Sequence, residues 1–343
     1  MAGLQRLSLD DPAWGEFVDG HPDATPFHDP AWAHVLAECY RLLGFVLAWR
    51  VDSGLITAGL PVVAAPRLPR RGRRLVSLPY TDFMRPLVDA SHEPEFVRSL
   101  DAARRELGFD QVELRSELAA AVPLQPHAVI HTLALTPDAG VLLDGLTKGK
   151  RRDVRASQRS GLTVRRAETE RDLTETYFDL HLRTRRRLGV PSQPRRFFRL
   201  LWEQLIMPGR GFVLIADDDG MPVAGAVFLT GNRTVVYKYS ASDPRRRGGL
   251  PTDLLLWHAV SEACERGFTT FDFGRSELGA HGLRRYKDRW GAVERPLVYS
   301  VVGGRAEGEA SPLPGAGLVA GLIRYAPVWV TRVSGELLYR YAA

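Results

Sequence analysis

One order of elements occurs twice along the chain, and that repeat limits the folds open to it. In the first half, GFVLAWRVDSGLITAGLPVVAA (44–65) sets two β-rich runs either side of Asp52-Ser53-Gly54, which predicts a hairpin. A loop rich in Pro and Arg follows, then a helix over about 91–107, then two short strands, QVELR (111–115) and HAVIHTLAL (127–135). The second half opens with a helix over 171–188, ended by Gly189 and Pro191. A hairpin comes next, GFVLIADDDGMPVAGAVFLT (211–230), turning at Asp218-Asp219-Gly220, and then a strand, RTVVYKYSAS (233–242). Asp253 to Arg266 is apolar at Leu254, Leu255, Trp257, Val260 and Ala263, one face of a helix that Gly267 stops. TTFDFG (269–274) reads as a buried strand and RPLVYSVV (295–302) closes the half. Helices that alternate with β-runs predict an α/β fold with a mixed sheet in each half. The shared order predicts an internal structural duplication.

The length agrees: 343 residues are two domains at about 100 to 200 residues each. The boundary is expected at 141/142, inside TPDAGVLLDGLT, giving domains 1–141 and 142–304. A loop and an amphipathic C-terminal helix follow over 305–343. Charge divides near the same place. Residues 1–144 hold 13 Lys and Arg against 19 Asp and Glu, a net of −6; residues 145–343 hold 33 against 21, a net of +12. A basic half suits a polyanion, a phosphorylated molecule or an anionic surface. Two cysteines, Cys39 and Cys264, exclude a disulfide scaffold and a cysteine zinc site. The start of the sequence lacks a basic stretch followed by an apolar run, and Leu313 to Val330 holds Arg324 and two prolines. A cytoplasmic protein without an integral membrane segment is expected.

No GxSxG, HExxH or GxxxxGK[ST] motif occurs, and the nine histidines lack metal-ligand spacing. No metal is expected. Three clusters remain. The first, KGKRRDVRASQR (148–159), has six cations and one acid; Lys148, Lys150, Arg151, Arg152 and Arg155 are candidate phosphate ligands, several on one helix face. The second is Arg245-Arg246-Arg247-Gly248-Gly249 ahead of the 253–266 helix, where backbone N–H groups and the helix dipole can hold phosphate. A pyrophosphate loop asks for Arg or Gln, then Gly three residues on, then Gly or Ala two further; Arg245 and Gly248 comply, but Leu250 departs and Pro251 removes a donor. The third is FDFGRS (271–276), leaving a strand, followed by YKDRWG (286–291). It sets a cation among rings at the carboxyl end of a sheet, where open α/β sheets bind ligands.

In order, KGKRRDVRASQRSGLTV, HLRTRRRLGVPSQPRRFF, YKYSASD, LLLWHAV, FDFGRS and YKDRWG resemble the FemAB-like branch of the GNAT superfamily over about residues 142–300. The tail PVWVTRVSGELLYRYAA is similar to the end of exosortase-associated members, and SLPYTDFMRPL and ELRSE extend the likeness into the first half. The resemblance implies two tandem GNAT-like domains with mixed β-sheets flanked by helices, the first on the acceptor side. It implies an enzyme, an aminoacyltransferase that joins an amino acid from aminoacyl-tRNA to an amine on a peptidoglycan-type precursor or a small natural product. The tRNA is a donor co-substrate, and no other cofactor is implied. The family's aromatic-Lys motif falls on Tyr286-Lys287, which the resemblance implies as the catalytic residues, with Lys287 assisting the tetrahedral intermediate. Substrate-binding positions fall on Tyr239, on Arg275, on Tyr80, Asp82 and Arg85 in the first-domain loop, and on Glu117 after a strand. Lys148, Lys150, Arg151, Arg152, Arg155, Arg245, Arg246 and Arg247 would meet tRNA phosphates. The long helical arm of several Fem proteins is absent. Two alternatives stay open: an acyl-CoA-dependent N-acyltransferase using the Arg245–Gly249 loop, and a non-catalytic protein that binds nucleic acid or a membrane surface through its basic half.

Overall fold

The computed structural model describes residues 3–66, 72–126, 128–245 and 249–303. The expected C-terminal helix and the residues Arg246 and Arg247 lie outside them. In chain order the first elements are β1 (Gln5–Leu7), α1 (Pro12–Gly20), α2 (Pro30–Tyr40), β2 (Leu43–Arg50), β3 (Ile56–Pro66) and β4 (Arg73–Val76). Next come α3 (Glu93–Glu106), β5 (Gln111–Leu114), β6 (Val122–Pro123), β7 (Ala128–Ala134), α4 (Ala139–Gly145), α5 (Lys148–Gln158) and β8 (Thr163–Arg166). A π-helical stretch (Asp172–Tyr177) leads into α6 (Phe178–Leu188), and α7 (Arg195–Leu201) runs into a second (Trp202–Ile206). The rest are β9 (Gly211–Asp218), β10 (Met221–Gly231), β11 (Thr234–Ser242), α8 (Pro251–Glu265), β12 (Thr270–Glu277), α9 (His281–Asp288), β13 (Val293–Leu297) and β14 (Ser300–Val302).

The chain divides into two compact units, Met1–Val129 with the segment from Pro296, and Ile130–Arg295. Each holds a seven-stranded mixed sheet. The orders are β1-β2-β3-β4-β5-β14-β6 and β8-β9-β10-β11-β12-β7-β13. Position by position the sheets correspond: an antiparallel hairpin in the second and third places, and a parallel pair in the fourth and fifth. The duplication read from the order of elements is therefore present, with one exchange. HAVIHTLAL, expected to close the first half, supplies the sixth strand of the second sheet; part of RPLVYSVV supplies the sixth strand of the first. The division falls at Val129/Ile130 rather than at 141/142. Alternating apolar residues announce a strand but not its sheet, because pairing partners are remote in sequence.

Local chemistry explains the hairpins and stops. Asp219 and Gly220 both have positive φ (49° and 75°), as a two-residue turn between twisted strands requires. Pro12 and Pro30 open α1 and α2 behind Asp11 and Asp29, whose carboxylates cap Ala13 N and Ala31 N. In the second unit, α8 is buried on nearly every side, including Leu256, Ala259 and Cys264 outside the expected face. It packs on β9 and β10 and is covered by α4 and α5, so an all-round apolar helix is the stable solution here. Phe212, Phe228, Phe271, Phe273 and Trp290 fill the space around it. Among the described residues, no helix is long and apolar enough to cross a membrane, and no group of His, Cys, Asp and Glu is placed to hold a metal ion.

Candidate active site

The second sheet parts where the chemistry gathers. β11 and β12 pair in parallel at Thr234–Thr270, Val235–Phe271 and Val236–Asp272. Beyond those pairs each strand continues without its neighbour, to Ser242 and Glu277. The FDFGRS segment turns β12 at this point. Asp272 accepts the Gly274 N–H at 2.7 Å, and Gly274 has φ +70°, a conformation glycine adopts at little cost. The turn aims two successive carbonyls at α9. Lys287, 3% exposed, donates its ε-ammonium to Gly274 O at 2.8 Å and to Arg275 O at 3.0 Å.

The neighbouring Tyr286 points another way, into a buried ion pair. Its hydroxyl donates to Asp253 Oδ1 at 2.5 Å, and Lys150 Nζ donates to the same oxygen at 2.8 Å. The Lys150 ammonium also lies 4.2 Å from the centre of the Tyr286 ring and 5.2 Å from that of Trp290. Lys150 is 1% exposed and Asp253 5%. Burial pulls the Lys150 ammonium below its usual range, against the opposing pull of Asp253. Burial likewise pushes the Tyr286 phenol well above 10, reinforced by the Asp253 charge. The expectation that Lys150 meets a phosphate is corrected: it is spent on an internal carboxylate.

A histidine lies close enough to Lys287 to feel its charge, and an acid pairs with that histidine. His131, on β7, is fully buried, and its Nε2 lies 3.1 Å from Glu294 Oε2 on β13. Burial lowers the His131 imidazole, and the Lys287 charge lowers it further, while Glu294 opposes. Glu294 in turn takes a bidentate pair from Arg284 on α9, at 2.8 and 2.7 Å. The Arg284 guanidinium holds the Glu294 carboxyl below its usual range.

The remaining candidates distribute as follows. Arg275 is bound to Glu277. Tyr239 lies on the opposite face of β11 from Tyr237, and a bulge is the cause. Val227 pairs with Tyr239 but Phe228 with Tyr237, so Lys238 is an extra residue on β11. Tyr237 and Tyr239, which would otherwise share a face, separate. Tyr237 packs on Phe228 and Phe273, while Tyr239 meets Phe197, Phe198 and His181 edge-on. On α5, Lys148, Arg152 and Arg155 are exposed, as is Arg159 just past its end; Arg151 is half-buried and donates to the Asp144 carbonyl. Arg245 is exposed, but Asp243 engages its guanidinium through Nε and Nη2. At the start of α8, Pro251 occupies the first helical position, and the Asp253 carboxylate already lies in the first turn.

In the first unit, Tyr80, Asp82 and Arg85 lie on one loop after β4, and Glu117 follows β5. Ser77 N to Glu113 O (2.9 Å) and Met84 N to Arg115 O (3.0 Å) strap that loop to the end of β5. Tyr80 sits at φ +61° with its ring 5.0 Å from Tyr40. The Asp82 carbonyl accepts the Tyr299 hydroxyl at 2.9 Å. Arg85 pairs with Glu93 at 2.5 Å, and Glu93 also accepts Ala119 N–H at 2.9 Å; Glu117 is exposed. Four residues were not singled out from sequence: Asp253, His131, Glu294 and Glu93. Asp253 gives a faint signal, an acid in a helix's first turn; the other three depend on remote partners.

Residues 147–288 match the family described as an acetyltransferase (GNAT) domain. The chain has the GNAT fold. Over that segment the similarity is to an acyl-transferring domain. The crystal structure of FemX superposes with a TM-score of 0.70 at 15% identity, covering 86% of this chain and 96% of FemX. The C-terminal domain of a putative lysylphosphatidylglycerol synthetase from Agrobacterium fabrum gives 0.56 at 14% identity, covering 91% and 96% of the two chains. The L-PGS structure from Bacillus licheniformis gives 0.55 at 14% identity, covering 94% and 98%. The sequence itself matches no curated protein.

Proposed function

We propose that this acyltransferase moves an amino acid from aminoacyl-tRNA to an amine. The amine nitrogen attacks the ester carbonyl carbon, the bond to the ribose oxygen breaks, an amide forms, and the proton lost by the nitrogen ends on the ribose oxygen as a hydroxyl. The oxygen that gains negative charge on the way needs a fixed donor. The Lys287 ammonium, held by two carbonyls at the turn of β12, is the residue assigned to it. Tyr80, Asp82, Arg85 and Glu117 are assigned to the acceptor, and Tyr239 and Arg275 to the substrate in the second unit.

The observation that carries the choice of donor is the Asp253 carboxylate in the first turn of α8. A coenzyme A diphosphate is held at such a helix start by open N–H groups and the dipole. Here the first helical residue is Pro251, without an N–H, and a carboxylate and its bound lysine fill the turn. Arg245, the loop's described cation, is taken by Asp243. The exposed cations of α5, Lys148, Arg152 and Arg155, the last two only loosely paired with Asp153 and Asp144, suit the phosphates of a tRNA acceptor stem. The resemblance to Fem-type enzymes and the Agrobacterium fabrum domain, named for a lysylphosphatidylglycerol synthetase, support an aminoacyl donor.

The test compares donors. Charged tRNA, offered with a panel of amines, is expected to yield an aminoacyl amide by mass spectrometry. Acetyl-CoA is expected to leave the melting temperature unchanged. Exchanging Arg152 and Arg155 for Glu is expected to weaken tRNA binding and flatten its salt dependence, by roughly 0.7 to 0.9 in the logarithmic slope for each phosphate no longer neutralised. Acetyl transfer from acetyl-CoA would replace the reading with an acyl-CoA one. Salt-sensitive tRNA binding with no product from any amine would leave a binding protein.

A further inference from the structure

α9 carries Lys287, yet little apolar surface holds it. It has eight residues, of which only Lys287 is fully buried, and Leu283 is 46% exposed. A helix this short has no independent stability, and without an apolar stripe packing does not fix its rotation. Two ion pairs reach it at the surface: Arg284 with Glu294, and Arg289, just past its end, with Asp153. Both are partly exposed pairs, which contribute little. Besides Lys287, the inward contact is the half-buried Tyr286, whose hydroxyl meets Asp253 of α8 while its ring and that of the fully buried Trp290, just past the helix, cover Lys150 of α5.

A buried ion pair is seldom kept for stability alone, since apolar residues of similar volume stabilise as well. We infer that the Lys150–Asp253 pair is a positioning device: by holding Tyr286 it sets the rotation of α9 and so places the Lys287 ammonium on the Gly274 and Arg275 carbonyls. Tyr286 and Lys287 are consecutive and stand about 100° apart around the helix. Turning one to α8 turns the other to β12. Three helices, α5, α8 and α9, meet at one carboxylate oxygen, and Lys150 and Asp253 act on the reaction only through Lys287.

The decisive variant is the double exchange Lys150→Met with Asp253→Leu, which removes both charges and keeps the volume. Its denaturation midpoint is expected near that of the parent protein, whereas Asp253→Leu alone, leaving a buried ammonium, is expected well below it. Protection of Lys287 is then read by mass spectrometry after brief treatment with acetic anhydride. In the parent protein Lys287 is expected to be among the slowest lysines to react; in the stable double variant its labelling is expected to rise at least several-fold. Tyr286→Phe is expected to raise labelling in the same direction. This arm does not depend on the donor being tRNA. The kinetic arm rests on the proposed transfer, and there kcat is expected to fall by about 100-fold, the cost of a misplacement near 1 Å, with KM for charged tRNA little changed. A well-folded double variant whose Lys287 stays protected overturns the inference, whatever its activity. Parent protein without transfer, but with Lys287 released in the double variant, overturns the proposed function and leaves the positioning intact.

Discussion

Lys287→Met abolishes most of the transfer activity, by about 10²- to 10³-fold in kcat, the cost of losing one fixed oxyanion donor. Methionine keeps the volume of the stem and removes the ammonium. The loss extends beyond the chemistry. Lys287 is buried and satisfies two carbonyls, so removing it strands both, at about 1–3 kcal/mol each. The melting temperature therefore falls as well. In the sequence, a lysine beside aromatics in YKDRWG gives no sign of its burial. A third readout separates the roles. The Lys287 charge helps hold the His131 imidazole below its usual range, so His131 titrates at higher pH in the variant, as NMR of the ring protons would register. Unchanged transfer by a folded Lys287→Met protein removes Lys287 from the reaction.

Acid destabilises this protein well before its carboxylates titrate. His28 and His181 are each almost fully buried. His28 lies between Thr25 N–H and the Arg85 carbonyl; His181 lies against Gln193 inside a ring of Tyr177, Phe198 and Tyr239. Burial, the larger cause in both, lowers His28 from 6.5 to about 4 and His181, with help from Arg185, to about 3. Both folded values lie below the unfolded one. As pH falls through about 6.5, the unfolded chain takes up protons that the folded chain refuses, and stability drops. The drop ends near pH 4 for His28 and near pH 3 for His181, where the folded rings protonate too. Fully developed, the two sites cost on the order of 3 and 5 kcal/mol. Urea denaturation at pH 7, 6, 5 and 4 measures this. His181→Phe, which suits the aromatic surroundings, is expected to reduce the slope for the second unit by about 1.4 kcal/mol per pH unit. An unaltered slope places the acid sensitivity elsewhere.

What was legible in the sequence follows from how local each signal is. Both hairpins announced themselves, because Asp-Ser-Gly and Asp-Asp-Gly demand a turn wherever they stand. The 253–266 helix and its glycine stop were likewise local, as was the strand that ends in FDFGRS. The cation run 148–159 reads as one surface, yet Lys150 turns inward among exposed neighbours. Nothing in a row of like charges marks the one that will find a partner a hundred residues on. Tyr239 illustrates a second limit: a bulge reverses the face of every residue beyond it, and one inserted position in a strand leaves no local signature. His131 and Glu294 meet only because β7 and β13 neighbour each other in the second sheet, a pairing that sequence order hides.

The exchange of sixth strands bears on how the chain is made. When a ribosome has delivered everything up to Val129, the first sheet has six of its seven strands, with β6 lacking the neighbour that joins it to β5. That neighbour is β14, made only after the whole second unit. The second sheet, by contrast, already has β7 in hand and finishes with β13. Domains usually mature in the order of their synthesis. Here the half that starts first is completed last, and its β5 edge stands open to wrong partners throughout translation of the other.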